Sequence, residues 1–330
     1  MPISFSDGRS FVGKAYELMG INKLVLPILL SSLSSGTWKQ YETCYKRWFA
    51  YCISNNTSPY KVEVDNVLLF LKKTFDSGVQ YGTINSYRSA MALIANRNQD
   101  LGNDNMVRRF LKGCSKQRPA KAKYDCTWDP TVVIDMLNSW APLSELSLHD
   151  LSLKTVTLLA LATAHRVQTF ASIKLQNIKS NDSRIEIFIS EQIKTSGPGR
   201  FQPYLILPRF LDQKNICAAR ALEEYISRTE KLRDSDFLFI GIAKPHKPVG
   251  SQTISRWIRT TLQKAGIDTS IFGAHSCRHA STSAAKRAGI SVDEIRSRAG
   301  WSKSSNVFAK FYDRPCHAGQ NFAQAVFSTK

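Results

Sequence analysis

Apolar positions recur at helical spacing through the first third of the chain. In SSLSSGTWKQYETCYKRWFAYC, Trp38, Tyr41, Tyr45, Trp48 and Tyr51 fall three or four residues apart, with Lys39, Lys46 and Arg47 on the other side. That spacing lays one aromatic stripe along a helix, and Ser34, Ser35 and Thr37 offer hydroxyl oxygens to cap its start. VEVDNVLLFLKKTFDSG reads as a second helix, ended by Gly78. YGTINSYRSAMALIANRN reads as a third, capped by Thr83, and NDNMVRRFLKGCSKQRP as a fourth, stopped by Pro119. Residues 1–20 show no strong periodicity and are read as an N-terminal arm. Four short helices over residues 21–118 make a small all-α domain. The polar run KQRPAKAKYDC then marks a basic linker at 119–127.

From WDPTVVIDMLNSW onward the pattern changes. Helices are expected near 130–140 and 150–164, then two strands, RIEIFIS and YLILP, whose apolar residues alternate or are β-branched. EQIKTSGPGRFQP joins them, and further helices are expected near 215–230, 251–266, 278–288 and 291–299. Residues 128–330 therefore form a mixed domain, mostly α with a small antiparallel sheet. The fold class is a mostly α, two-domain protein.

Charge narrows the partner. The chain of 330 residues carries a formal +19, with eight of those net charges in residues 1–118 and eleven in 119–330. Both domains are basic, which points to a polyanion touched by both, with double-stranded DNA first among the candidates. Lys39, Arg47, Arg88 and Lys112 of the helical domain and Lys121 and Lys123 of the linker are the expected backbone contacts, although solvated helix charges would look the same. The apolar run INKLVLPILL is too short and too interrupted to span a bilayer, and no secretory leader opens the chain. Seven cysteines without a CxxC pair argue for a reducing compartment and against a disulfide framework or zinc ribbon.

The chemistry gathers in the second domain. Cutting a phosphodiester without a metal requires fixed positive charge on the non-bridging oxygens, and guanidinium forks suit that role at any working pH. Arg166 follows a nearly all-apolar helix, and Arg278 opens a later one. A charge at the end of an apolar element is costly unless something anionic meets it. Lys194, in the Gly- and Thr-rich turn between the strands, could protonate a leaving oxygen; Lys174, Lys179 and Arg200 also flank the sheet. Tyr312 supplies a hydroxyl nucleophile, His275 a proton acceptor, and Trp301 an indole N–H for a phosphate oxygen. His275 and His279 lie four apart, as a metal pair would, but no partner ligand motif accompanies them, and His165 reads as a structural histidine.

The order Arg166, Lys194, His275-x-x-Arg278, Trp301, Tyr312 resembles the tyrosine recombinase (lambda-integrase) superfamily. The phrases AHRVQTF, IKTSGPG, HASTSAAKRAGIS and AGWSKSSNVFAKFYDRP look closest to recombinases of DIRS-type retrotransposons and their Ngaro and Crypton relatives. The resemblance covers both domains. It implies a SAM-like core-binding domain before the linker and an α+β catalytic domain after it. It also implies a 3′-phosphotyrosyl intermediate formed without metal, ATP or other cofactor, and a homotetramer acting on two DNA sites in the nucleus. Residues 316–330, with Phe322, Ala323, Val326 and Phe327, would be the tail that docks on a neighbouring protomer. The pattern departs at Thr169, where many members carry an acidic residue, so Arg166 must find support elsewhere. A type IB topoisomerase would use related chemistry, and a domesticated DNA-binding protein would keep the fold without needing Tyr312.

Overall fold

The computed structural model describes residues 4–96, 99–119, 124–194, 196–197, 202–302 and 304–316. The chain divides into two compact units, residues 1–121 and 122–330.

The first unit is helical among its described residues. Helix α1 (Gly8–Leu18) is followed by a short α2 (Leu26–Ser31), then α3 (Ser35–Ser54), α4 (Val64–Asp76), α5 (Tyr81–Ile94) and α6 (Asn105–Gln117). The aromatic stripe of α3 behaves as its spacing dictates: Trp38, Tyr45 and Trp48 are buried, and Ser34 caps the helix by accepting the Thr37 N–H. Buried polar tips are satisfied by backbone: Tyr45 donates to the Ala90 carbonyl at 3.0 Å and Trp48 to that of Pro59 at 2.8 Å. Two readings change. Residues 8–18, expected to be part of an arm, form α1, capped by the Asp7 carboxylate, and bury Phe11, Val12 and Ala15 in this core. The stripe 8, 11, 12, 15 is helical, but only about three turns long, too short to stand out. The cap of α5 is Gln80, so Thr83 lies inside the first turn.

In the second unit, α7 (Pro130–Ser139) leads to α8 (Leu148–Thr163), of which every residue from Leu151 to Ala160 is buried. A helix apolar all round must sit inside, and α8 does. Around it pack α10 (Ala218–Thr229), α11 (Ser251–Lys264) and α12 (Ser276–Arg287), with a short α9 (Val167–Ala171) after α8 and α13 (Val292–Arg298) after α12. The sheet has three antiparallel strands in the order β1 (Ile178–Ser180), β2 (Arg184–Phe188), β3 (Tyr204–Pro208). Its register pairs Ile185 with Leu207 and Ile187 with Leu205, which puts four apolar side chains on the core face. Strand β1 has three residues, none buried, and so leaves no periodic signal. All seven cysteines are unpaired thiols, and no described helix is long and apolar enough to cross a membrane.

One charge sits in this core. Lys154 is fully buried on α8, and its ammonium donates to the carbonyl of Leu137 at 2.8 Å. Desolvation by burial holds its pKa down to about 8 from the usual 10.5. Between those two pH values the unfolded chain keeps a proton that the folded chain has released, so this group makes stability rise with pH across that window. Lys154→Met should remove that rise, as read from urea unfolding at a series of pH values between 7 and 11 (about 1.4 kcal/mol per unit of pKa difference).

Candidate active site

The site starts where α8 stops. Ala164 closes the helix in the left-handed region (φ 53°), which costs an alanine about 1 kcal/mol and turns the chain sharply. The turn sets Arg166, half-buried, at the N-cap of α9. It also aims the Ala164 carbonyl at α12, where it accepts Nη1 of Arg278 at 2.5 Å.

Helix α12 is fixed at its start by Trp128, whose indole N–H donates to Ser276 Oγ at 2.8 Å, while Ser276 donates to the Gly273 carbonyl. His275 is its exposed N-cap residue and Arg278, 1% exposed, lies in its first turn. The Arg278 guanidinium lies 4.0 Å from the Trp301 ring centroid and 5.4 Å from that of Tyr312. Burial and the nearby Arg166 charge pull its pKa down to about 10, which leaves it charged at neutral pH. Neither Arg166 nor Arg278 forms an ion pair with a carboxylate among the described residues. Thr169, at the position usually acidic in the resembled family, is buried and donates its N–H to the Arg166 carbonyl instead. Among the described residues, Arg278 Nε and Nη2 and Trp301 Nε1 are buried donors without an acceptor. Leaving such groups unmet costs about 1–3 kcal/mol each, so three together describe a site that favours an anion.

Tyr312 ends a π-helical turn, Phe308–Tyr312, and is 7% exposed. Its hydroxyl lies 2.8 Å from His275 Nε2. Its ring stacks on His279 at 4.1 Å between centroids and 19° between planes, and meets Trp301 at 4.8 Å. His275, Arg278, Trp301 and Tyr312, dispersed over 38 residues, thus converge on one point. Arg166 joins them through its charge on Arg278. Lys194 is an exposed residue whose backbone N–H donates to Gln168 Oε1 of α9 at 3.3 Å.

Three supports, His279, Gly300 and Tyr124, escaped the sequence reading. His279 is the platform on which the Tyr312 ring stacks. His165 fits its structural reading but touches the site. Burial and then the charges of Arg278 and Arg166 push its pKa down to about 4. Gly300 passes so close that a Cβ there would lie 3.3 Å from its ring, and its φ of +66° suits glycine. Tyr124 packs edge-on against His279. Stacking partners and close backbone approaches have no fixed sequence spacing, so no pattern could have revealed them.

Of the expected DNA contacts, Lys39, Arg47 and Lys112 are exposed, and Arg47 lies over the Tyr87 ring at 6.0 Å. Arg88 is half-buried, with its guanidinium donating to the Gly102 carbonyl and to Asn85. Arg88 and Lys112 line a concave surface of about 650 Å³ shared with Arg108 and Lys116, with no carboxylate in its lining. Lys121, Lys123 and the tail from 317 onward lie outside the described residues.

No curated protein matches the chain by sequence. Among solved structures, the XerH site-specific recombinase bound to palindromic difH substrate, a post-cleavage complex, has a TM-score of 0.60 at 12% identity, covering 99% of this chain and 98% of that one. The Tn1549 transposon integrase in complex with transposon right-end DNA reaches 0.57 at 13%, covering 98% of each chain. A lambda integrase tetramer bound to a Holliday junction gives 0.51 at 14%, covering 96% of this chain and 79% of that one. At such identities the likeness is one of fold. Sequence carries the family: the phage integrase family model matches residues 134–315, more than half of the chain, and includes Arg166, Lys194, His275, Arg278, Trp301 and Tyr312. This chain belongs to the phage integrase family, the tyrosine recombinases that its motifs resemble.

Proposed function

We propose that this protein is a site-specific DNA recombinase or integrase of a mobile element, which cuts and rejoins strands through a 3′-phosphotyrosyl intermediate. The observation that carries the reading is the Tyr312 hydroxyl 2.8 Å from His275 Nε2, beside a buried guanidinium with two donor nitrogens unmet among the described residues. With the imidazole neutral and its proton on Nδ1, Nε2 accepts the phenol proton as the oxygen attacks phosphorus. The new bond is Tyr312 Oη–P, and the bond broken joins phosphorus to the 5′ oxygen, which leaves with a proton from Lys194. Arg166 and Arg278 carry the added charge on the non-bridging oxygens, and Trp301 donates to one of them. Because the Arg278 and Trp301 donors are covered in this structure, the Tyr312 ring turns aside as a phosphate arrives. The energy of the cut diester stays in the phosphotyrosyl bond. A free 5′ hydroxyl from a partner strand then attacks it and releases Tyr312, without ATP, metal or other cofactor.

The basic charge of both units supports a duplex held by each, with Lys39, Arg47, Arg88, Lys112, Lys121 and Lys123 on the backbone. Exchange between two duplexes takes four active sites, so the acting species in this reading is a homotetramer on two sites, joined through residues 316–330. A mobile element of a nucleated cell, related to DIRS-type elements, is the context that fits the motifs, and the nucleus is then the place of action.

Incubation with a pool of nicked duplexes of randomised sequence, followed by denaturing recovery of protein–DNA adducts, tests the chemistry and yields a working substrate. Tyr312→Phe should abolish the adduct while leaving duplex affinity intact, because one hydroxyl is lost and no cation is. An adduct formed by the Phe variant would assign the nucleophile elsewhere. Adduct formation should also persist in EDTA, and rescue by magnesium of an EDTA-inhibited reaction would rule out the guanidinium mechanism. Duplex affinity should fall with salt at a log–log slope of about −0.9 per phosphate neutralised.

A further inference from the structure

Helix α12 carries three hydroxyl residues in succession, and one of them behaves differently from the other two. Ser281 donates to the Cys277 carbonyl and Thr282 to that of Arg278, each four residues back on its own helix. That is the ordinary bond for a hydroxyl inside a helix. Ser283, 1% exposed, turns away from the helix and donates to the Tyr312 carbonyl at 2.6 Å. The same oxygen accepts the Arg314 N–H at 3.2 Å. One hydroxyl thus grips the main chain on both sides of Asp313. One turn further along α12, the Lys286 ammonium pairs with the Asp313 carboxylate. Positions 275, 279, 283 and 286 form a single stripe of α12, and each of them touches residues 312–314.

We infer that Ser283, with the Lys286–Asp313 pair beside it, is a positioning clasp that seats the main chain of the Tyr312 turn on α12. This rests on the reading of Tyr312 as the nucleophile. The clasp binds the carbonyl and the following peptide, not the ring. The ring can therefore rotate about its side-chain bonds to admit a phosphate while its Cα stays in register with His275 and Arg278. Without the Ser283 hydroxyl, the Tyr312 carbonyl and the Arg314 N–H both lose the partner shown here, and the turn is free to drift. A displacement of about 1 Å at a reacting atom costs about a hundredfold in rate.

The test measures the single-turnover rate constant for adduct formation on a duplex recovered from the randomised pool, at saturating protein, together with affinity for that duplex. Ser283→Ala should slow the rate constant by about ten- to a hundredfold with affinity unchanged, and Ser283→Thr should restore most of it. Because Ser283 is buried, the half-exposed ion pair provides a second arm: Lys286→Asp and Asp313→Lys should each slow the reaction, and the double exchange should recover it. Wild-type rate constants in both Ser283→Ala and the single charge reversals would overturn the clasp. So would equal loss of rate and affinity with no recovery in the exchange, which is the signature of a merely structural role. Tyr312→Phe, run in parallel, separates the two inferences: an adduct there sinks the nucleophile assignment, whereas its loss beside unaffected Ser283→Ala and charge-reversal variants sinks only the clasp.

Discussion

Burying the Arg278 guanidinium without a carboxylate is the constraint on which the second unit's site depends. An ion taken out of water costs several kcal/mol unless its surroundings answer it. Here they answer it with the Ala164 carbonyl and the Trp301 ring. Each answer fixes a separate piece of chain. The carbonyl requires the left-handed turn that ends α8 and so sets Arg166. The indole requires the Gly300 backbone to pass against His165. An acidic residue in place of Thr169 would have neutralised the charge locally; with threonine there, the positive potential is left for a ligand.

The parts of this fold that bury a repeating stripe were legible. The aromatic residues of α3 and the nearly all-apolar sequence of α8 fixed those helices, and the β-branched alternation of β2 and β3 fixed their shared core face. What escaped was short or aperiodic. Helix α1 offers only one stripe of four buried positions, β1 has no buried residue, and Thr83 looks like a cap but lies one turn too late.

At the site, legibility followed chemistry. Arg278, His275, Trp301 and Tyr312 were visible because their types are unusual at their positions and their order matches a known pattern. Lys194 was read from its place between the two strands, and what ties it to α9 here is a backbone N–H, which any residue would supply. Ser283 and Ala164 act through main-chain groups, and every residue has those, so sequence gives them no distinguishing mark.

The π-helical turn that ends at Tyr312 has a mechanical consequence. Within it the Lys310 N–H still bonds four residues back, to Asn306, whereas the Asp313 N–H reaches five back, to Phe308. The segment therefore holds one residue more than an α-helix would need to cover the same span. Tyr312 stands at the end of that wider turn, its main chain held by Ser283 and its ring left to move about its own side-chain bonds.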